Sequence, residues 1–493
     1  MIKKMLMVLA ALLLVTSCAK VDDKIEKQIP ADAALVAKAN LPQLMGNLDI
    51  AVKDGKLVLP ARFAAMLQDL GMDTAELDAQ GAKLLESGLD LEHSVYCFVP
   101  SGDKTLVALL PVKDADKVKA YVAEMAGAAM LDKDGLSVIG KDDKALVLGD
   151  GILYVLVGNA AKDPSACVSA LAKLDKSMKD NAAISGALGT ADDVNLFVDG
   201  ALMKEVGETI IEAAGQKAAQ AGFLLDMWDM KSATYHVSLA GKELNVKCNN
   251  DVDDNSEFAK LISSITAKPS GDVLPLLPAG KNSFTFCYSL NGEGITNLDN
   301  VKKVLDQNGD DPTVKKIVDV FKSINGPVAI SITSDELSPA DMALSLAVKC
   351  GKAKEAIDLY KEFTEAGAYR MEGDEIVQPN AFNGMDGRFG VKGDVLYAKV
   401  AMKDYSAALD ADAEAKGILS SSYSGVYAKM DVDNCQLMLS AGGPDIKDGS
   451  LKFNVKEDGK NVSLLDGIAS IMKLAQKYGL MGDDDDTPAA DNN

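Results

Sequence analysis

Two segments of this chain carry the same succession of apolar patterns, and that repetition limits the possible folds more than any other feature. Ile29-Pro30-Ala31 starts the first copy and Leu277-Pro278-Ala279 starts the second. A strand-like alternation follows in each: Leu35, Ala37, Ala39 and Leu41 in the first, Phe284, Phe286, Tyr288 and Leu290 in the second. Val95–Val99 then corresponds to Val328–Ile332, and Leu106, Ala108, Leu110 and Val112 correspond to Met342, Leu344, Leu346 and Val348. Next comes a helical period, with Val118, Tyr121, Val122 and Met125 matched by Ala356, Ile357, Tyr360 and Phe363. A hairpin with Gly-Asp-Gly at its turn, residues 146–157, is matched by residues 388–400. Leu244–Lys247 and Phe453–Lys456 are equivalent strands. A helix ends each copy, through Phe258, Leu261, Ile262 and Ile265 or Leu465, Ile468, Ala469 and Met472.

Long period-two alternation with short turns favours antiparallel pairing. The expected fold is therefore α+β: two tandem, internally duplicated domains, each a mainly antiparallel sheet with helices packed on one face. The expected boundaries are a first repeat at 29–266, a linker at 267–276 and a second repeat at 277–480. The first copy is the longer, and its excess centres on a helical insertion near 200–230 that holds the single tryptophan, Trp228.

Residues 1–17 read as a leader. Lys3 and Lys4 precede an uncharged apolar run from Met5 to Val15, and small residues follow. The run is too short to span a bilayer as a permanent helix, which takes about 20 residues. Val15-Thr16-Ser17-Cys18 resembles the bacterial lipobox, which implies cleavage before Cys18 and lipid attachment to it. The expected membrane partner is thus reached through lipid on Cys18, with 18–28 as a lipidated tether. Ala19 rather than Asp after the cysteine implies outer-membrane sorting, and Asp22-Asp23 resembles a surface-export signal. The tail at 481–493 is acidic and reads as disordered.

Charge excludes one class of partner. The formal net charge is −22, from 73 acidic and 51 basic residues, and no Lys/Arg cluster occurs, so a nucleic-acid partner is not expected. With Cys18 lipidated, six cysteines remain: Cys97, Cys167, Cys248, Cys287, Cys350 and Cys435. Their strand-like surroundings and the lack of CxxC favour buried thiols over a disulfide framework.

No motif carries a complete chemistry, so no catalytic, cofactor-binding or metal-ligating residue is assigned. His93 and His236 are the only histidines, and neither has a metal-ligand partner at the right spacing. Gly135–Lys141 fits most of a phosphate-binding loop but is followed by Asp142 where a hydroxyl is needed. Asp251, Asp253 and Asn255 resemble the start of a calcium loop, yet position six is Ser256 and position twelve is Ile262. Asp306, Asn308 and Asp310 have the same defects. Met227 and Met230 beside Trp228 form a possible adaptable surface.

The lipobox, the segment IPADAALVAKANL at 29–41 and the plan of mixed strands and helices together resemble the Bacteroidetes lipoproteins of domain-of-unknown-function family 4836. That resemblance implies a cell-envelope location and brings no activity or functional residues. Three readings stand: a binding protein for an unknown protein or small molecule, periplasmic or surface-exposed; an envelope structural or assembly factor; and a hydrolase with a dispersed site. An exposed apolar groove separates the first from the second, and a cleft of perturbed carboxylates would favour the third. Replacing Cys18 by Ser is expected to abolish incorporation of labelled palmitate in cells; label that persists would contradict the lipid assignment.

Overall fold

The computed structural model describes residues 19–72, 74–214, 229–307, 311–336, 338, 341–365, 367–382, 384–401 and 409–477. The leader with Cys18, Met227 and Trp228, Asn308 and Asp310, and the acidic tail lie outside these residues. The chain is a mixed α and β protein built on antiparallel sheet. It divides into two compact units, one of residues 1–195, 238–244 and 454–493 and the other of 196–237 and 245–453. These units are interleaved along the chain, whereas the repeat blocks expected from sequence are contiguous; one division follows contact and the other repetition.

In the first unit the strands run antiparallel in the order Leu35–Ala39, Val95–Val99, Leu106–Pro111, Ile152–Val157, Lys144–Gly149, Leu136–Lys141 and Leu131–Lys133. Asp150 and Gly151 make the turn of one hairpin with φ of 49° and 73°. A two-residue turn of this hand matches the twist of the strands and needs residues that tolerate positive φ. One sheet face carries Val36, Tyr96, Phe98, Val107, Leu109, Val147, Tyr154 and Leu156, all fully buried. The opposite face carries Leu110, Leu148 and Leu153, which pack against Val118 and Val122 of the helix Ala115–Ala126. Asp114 caps that helix by accepting from Lys117 N, and Gly127 in the left-handed region ends it.

Residues 19–26 form a helix, not a slack tether. Ile25 and Ile29 are buried, Glu26 accepts from Tyr96 Oη at 2.8 Å, and Gln28 accepts from Tyr154 Oη. The segment is therefore docked on the apolar face of the sheet. Farther along, buried Asp193 joins distant pieces of chain: its carboxylate accepts from Asn47 Nδ2 at 2.8 Å and from Leu239 N at 2.6 Å.

In the second unit the antiparallel order is Cys435–Gly443, Ser424–Val432, Asn282–Asn291, Ile324–Ser334, Ala343–Cys350, Val395–Ala401, Met385–Lys392, Glu375–Phe382 and Arg370–Glu372. From Asn282–Asn291 onward this order matches that of the first unit. The pairings match as well. Leu35 faces Val99 as Phe284 faces Ile332, and Ala37 faces Cys97 as Phe286 faces Ile330. Leu109 faces Tyr154 as Ala347 faces Tyr397. This last correspondence moves the third strand by two residues from the sequence alignment, so that Leu106 and Ala108 are equivalent to Leu344 and Leu346. A two-residue slip leaves every side chain on its original face, and the alternation alone therefore could not detect it.

Phe98→Ala is expected to cost about 3–5 kcal/mol, because the ring is fully buried. Phe286→Ala, at a half-open position, is expected to cost less than about 1 kcal/mol. Urea denaturation of the two variants tests the difference; equal losses would contradict the assignment of covered and open faces.

Candidate functional site: an open apolar sheet face

The second unit places bulk and burial on opposite faces of its sheet. Cys287, Ala329 and Ala347 point inward, in one core cluster with Tyr427 of the strand Ser424–Val432, Ala415 and Leu419 of the helix Ala413–Ser421, and Val273, Leu274 and Leu277. Thr285, Ser331 and Thr333 share this inward face and are fully buried; the Thr285 and Ser331 hydroxyls lie 2.9 Å apart in a hydrogen bond. Such small side chains let the covering layer approach closely. The large residues are left on the other face. Phe284, Phe286, Ile330, Ile332, Leu344 and Leu346 sit on three neighbouring strands as cross-strand partners, and Met430 continues the row on a fourth. Phe284 is 49% exposed and Ile330 and Leu344 are each 46% exposed. Their combined open area is on the order of 600 Å², at the upper end of what single soluble chains present.

The equivalent face of the first unit carries less bulk. Ala37, Cys97 and Ala108 stand where the second unit has Phe286, Ile330 and Leu346, while Tyr96, Phe98 and Leu109 fill the covered side. The same frame thus places its large side chains inward in one unit and outward in the other.

The open face is hollowed at one end. A groove of about 400 Å³ is lined by Phe284, Ile332, Met342, Leu437, Leu439 and Phe453, among others. Its polar lining residues are Asn282, Ser283, Ser334 and Lys429; Asn282 and Ser334 are cross-strand partners, and Lys429 Nζ is paired with Asp410 at 2.5 Å. Asn282 Nδ2 donates to Asp335 O at 3.4 Å and its Oδ1 accepts from Asp431 N at 2.9 Å, so both ends of the amide are used within the fold. Beside Ser334 the Asp341 carboxylate accepts the backbone N–H groups of Asp335 at 2.7 Å and Glu336 at 2.9 Å. The groove offers hydrocarbon contact along its length and acidic groups at one mouth. Volume and lining fall within the range of small-ligand sites.

The residues singled out from sequence do not gather here. His93 is buried in the first unit with Nδ1 2.9 Å from Asp90 Oδ2, but the contact is not aligned as a hydrogen bond. Its buried Nε2 makes no hydrogen bond. His236 lies half-buried in the strand Met230–Ser238. Residues 136–141 of the phosphate-loop-like segment form a strand. Asp253 accepts from Asn255 N at 2.9 Å, and that bond holds its carboxyl below the usual range. Ser256 caps the helix Glu257–Ile265, which contains Ile262. Among the described residues no cluster of three or more His, Cys, Asp or Glu could hold a metal ion. The six described cysteines are free thiols, with Cys287, Cys350 and Cys435 buried. Burial pushes the Cys287 thiol up to about 11, so it is a poor nucleophile at neutral pH.

Two neighbouring carboxylates with shifted acidity, Asp22 and Asp23, lie on the docked helix Ala19–Glu26. Burial raises the Asp22 carboxyl, against the attraction of Lys38 and its bonds from Ser94. Asp23, at the surface, is lowered to about 2 by hydrogen bonds from Lys179 and then Lys27. These groups bond to the helix's own surroundings, which gives them a docking role.

No protein-family model and no curated protein matches the chain. Among solved structures the chain is similar to crystal form III of TP0453, at 8% identity and a TM-score of 0.31, over 48% of this chain and 83% of that one. Crystal form I of TP0453 gives 6% identity and a TM-score of 0.28, over 49% of this chain and 81% of that one. At these values the likeness supports no statement about function. Among the described residues no helix is long and apolar enough to cross a membrane.

The Asp23 shift gives a pH test. A carboxyl depressed in the fold adds stability above its unfolded value of 3.8 and loses it as pH falls through about 2. Asp22 has the opposite sign, since its raised carboxyl favours the fold as it protonates. Carbon-13 titration of the Asp23 carboxyl is expected to give a midpoint near 2 in the parent and one closer to 3.8 in Lys179→Met. An unchanged midpoint would contradict the docking contact.

Proposed function

We propose that the protein is a lipid-anchored cell-envelope protein of the family named above, a duplicated frame without catalytic activity that binds a partner. The observation that supports binding is the open apolar face of the second unit with its groove. An exposed apolar area of this size costs solubility, and chains that keep one generally use it. Among the described residues no cluster of three or more His, Cys, Asp or Glu could hold a metal ion, so no metal site supports the hydrolase reading.

The docked helix bears on the anchor. Its first residue is Ala19, directly after Cys18. A lipid on Cys18 would hold the first unit close against the bilayer, with no slack between anchor and fold. Protease shaving of intact cells, with lipid labelling of Cys18 as control, separates a surface location from a periplasmic one.

Binding is tested with an environment-sensitive apolar dye such as anilinonaphthalene sulfonate. Saturable fluorescence is expected from the native chain. The pair Phe286→Ser and Leu346→Ser is expected to lower the amplitude at least about twofold while leaving the melting temperature within a few degrees. A native chain that does not bind the dye would contradict the proposal.

A further inference from the structure

We infer that residues 19–28 form a releasable strap between the lipid anchor and the first unit, an inference that rests on the lipid-anchored reading above. Docked, the strap holds the unit against the bilayer. Undocked and extended, it lets the unit stand off by up to about 33 Å. The bonds divide the N-terminal segment at Ile29. From there onward the main chain is tied into the fold: Ile29 O accepts from Met178 N at 2.8 Å, Pro30 bridges to Ser177, and Ala34 N donates to Val99 O at 2.9 Å. Before it, among the described residues, the backbone bonds only within the segment: in the helix Ala19–Glu26, from Lys27 N to Asp23 O and from Gln28 N to Ile25 O. Side chains alone hold the strap down. The strand Val95–Val99 beneath it is the contrast, since it pairs with a strand on each side.

Ile25 is the one fully buried apolar side chain among the described ones of 19–28. The rest of the hold is polar. Asp22 accepts from Ser94 N at 3.3 Å and from Ser94 Oγ at 3.2 Å, Glu26 accepts from Tyr96 Oη and Gln28 from Tyr154 Oη. Lys24 pairs with Asp150 at 2.7 Å, and Lys179 pairs with Asp23 and, at 3.3 Å, with Glu26. Contacts of this kind are exchanged for water at little net cost. The surface beneath is suited to being uncovered. Ser94, Tyr96 and Tyr154 turn hydroxyls toward the strap, so release gives each of them water in place of its partner. Asp22 adds an outward push: burial raises its carboxyl against the pull of Lys38, so the charged form gains by returning to water.

The test is hydrogen exchange at about pH 7 on the chain from residue 18 with Cys18→Ala, read by mass spectrometry. Amides of 23–28 are expected to be protected at least about 100-fold less than those of Val95–Val99, yet at least about tenfold more than unstructured chain. Raising sodium chloride from about 0.05 to about 1 M is expected to speed the strap at least about threefold and leave the strand unchanged, because the ion pairs are screened. Ile25→Ser is expected to bring the strap to the rate of free chain with the strand still protected. On vesicles carrying the lipidated chain, trypsin cutting at Lys24 or Lys27 frees the folded part, and Ile25→Ser is expected to speed that release at least about tenfold. Equal protection of strap and strand overturns the inference, since the strap then opens only with the whole fold. A parent strap without protection overturns it too, as does an Ile25→Ser chain whose strand loses protection along with the strap. Where Ile25→Ser does not fold, Lys179→Met serves: at least about threefold faster strap exchange supports the inference and no change overturns it. A Cys18 that takes no lipid in cells, with exchange as expected, overturns the anchored reading and the spacing role while release of the strap stands.

Discussion

Everything specific to this protein follows from the two-residue period of an antiparallel strand. Each strand sends alternate side chains to opposite faces, so covering one face commits the other. In the first unit Tyr96, Phe98, Leu109 and Tyr154 fill the face beneath the docked N-terminal helix. In the second, Ala329, Ser331 and Ala347 occupy the covered side, and Ile330, Ile332, Leu344 and Leu346 have only the open side left. A one-residue slip in any of these strands would exchange the two sets and leave small polar side chains on the surface with bulky ones forced into a tight interior. The pairing of Phe284 with Ile332 and of Phe286 with Ile330 maintains the register that presents the apolar face.

Much of the architecture was legible in the chain. The alternation around Leu35 and Phe284, the strands Val95–Val99 and Val328–Ile332, and the Gly-Asp-Gly hairpin all mark real strands in corresponding positions. The third strand was placed two residues off, an error invisible to a pattern of period two. The N-terminal segment was read as a tether because AKVDDKIEKQ is short and polar. Its signal was the spacing of Val21 and Ile25, which puts two branched residues on one helical side.

The groove was the part least legible. Alternation tells which residues share a face but not whether anything covers it. Phe284 and Phe286 align with Leu35 and Ala37, and the alternation does not tell which of them is covered. A clue was present in Thr285, Ser331, Thr333 and Ser345, whose small polar side chains sit opposite bulky ones in strands that would otherwise be expected to point them to water. Composition could not decide between a polar solvent face and a tight interior. The covering residues, such as Leu274 and Leu419, come from distant parts of the chain.

The most direct test of the open face as a binding surface is photolabelling with a small apolar diazirine probe, followed by peptide mapping. Adducts concentrated on 282–286, 330–346 and 428–439 are the expected result. Adducts spread evenly over both units, or concentrated on 106–111 of the first, would contradict the account.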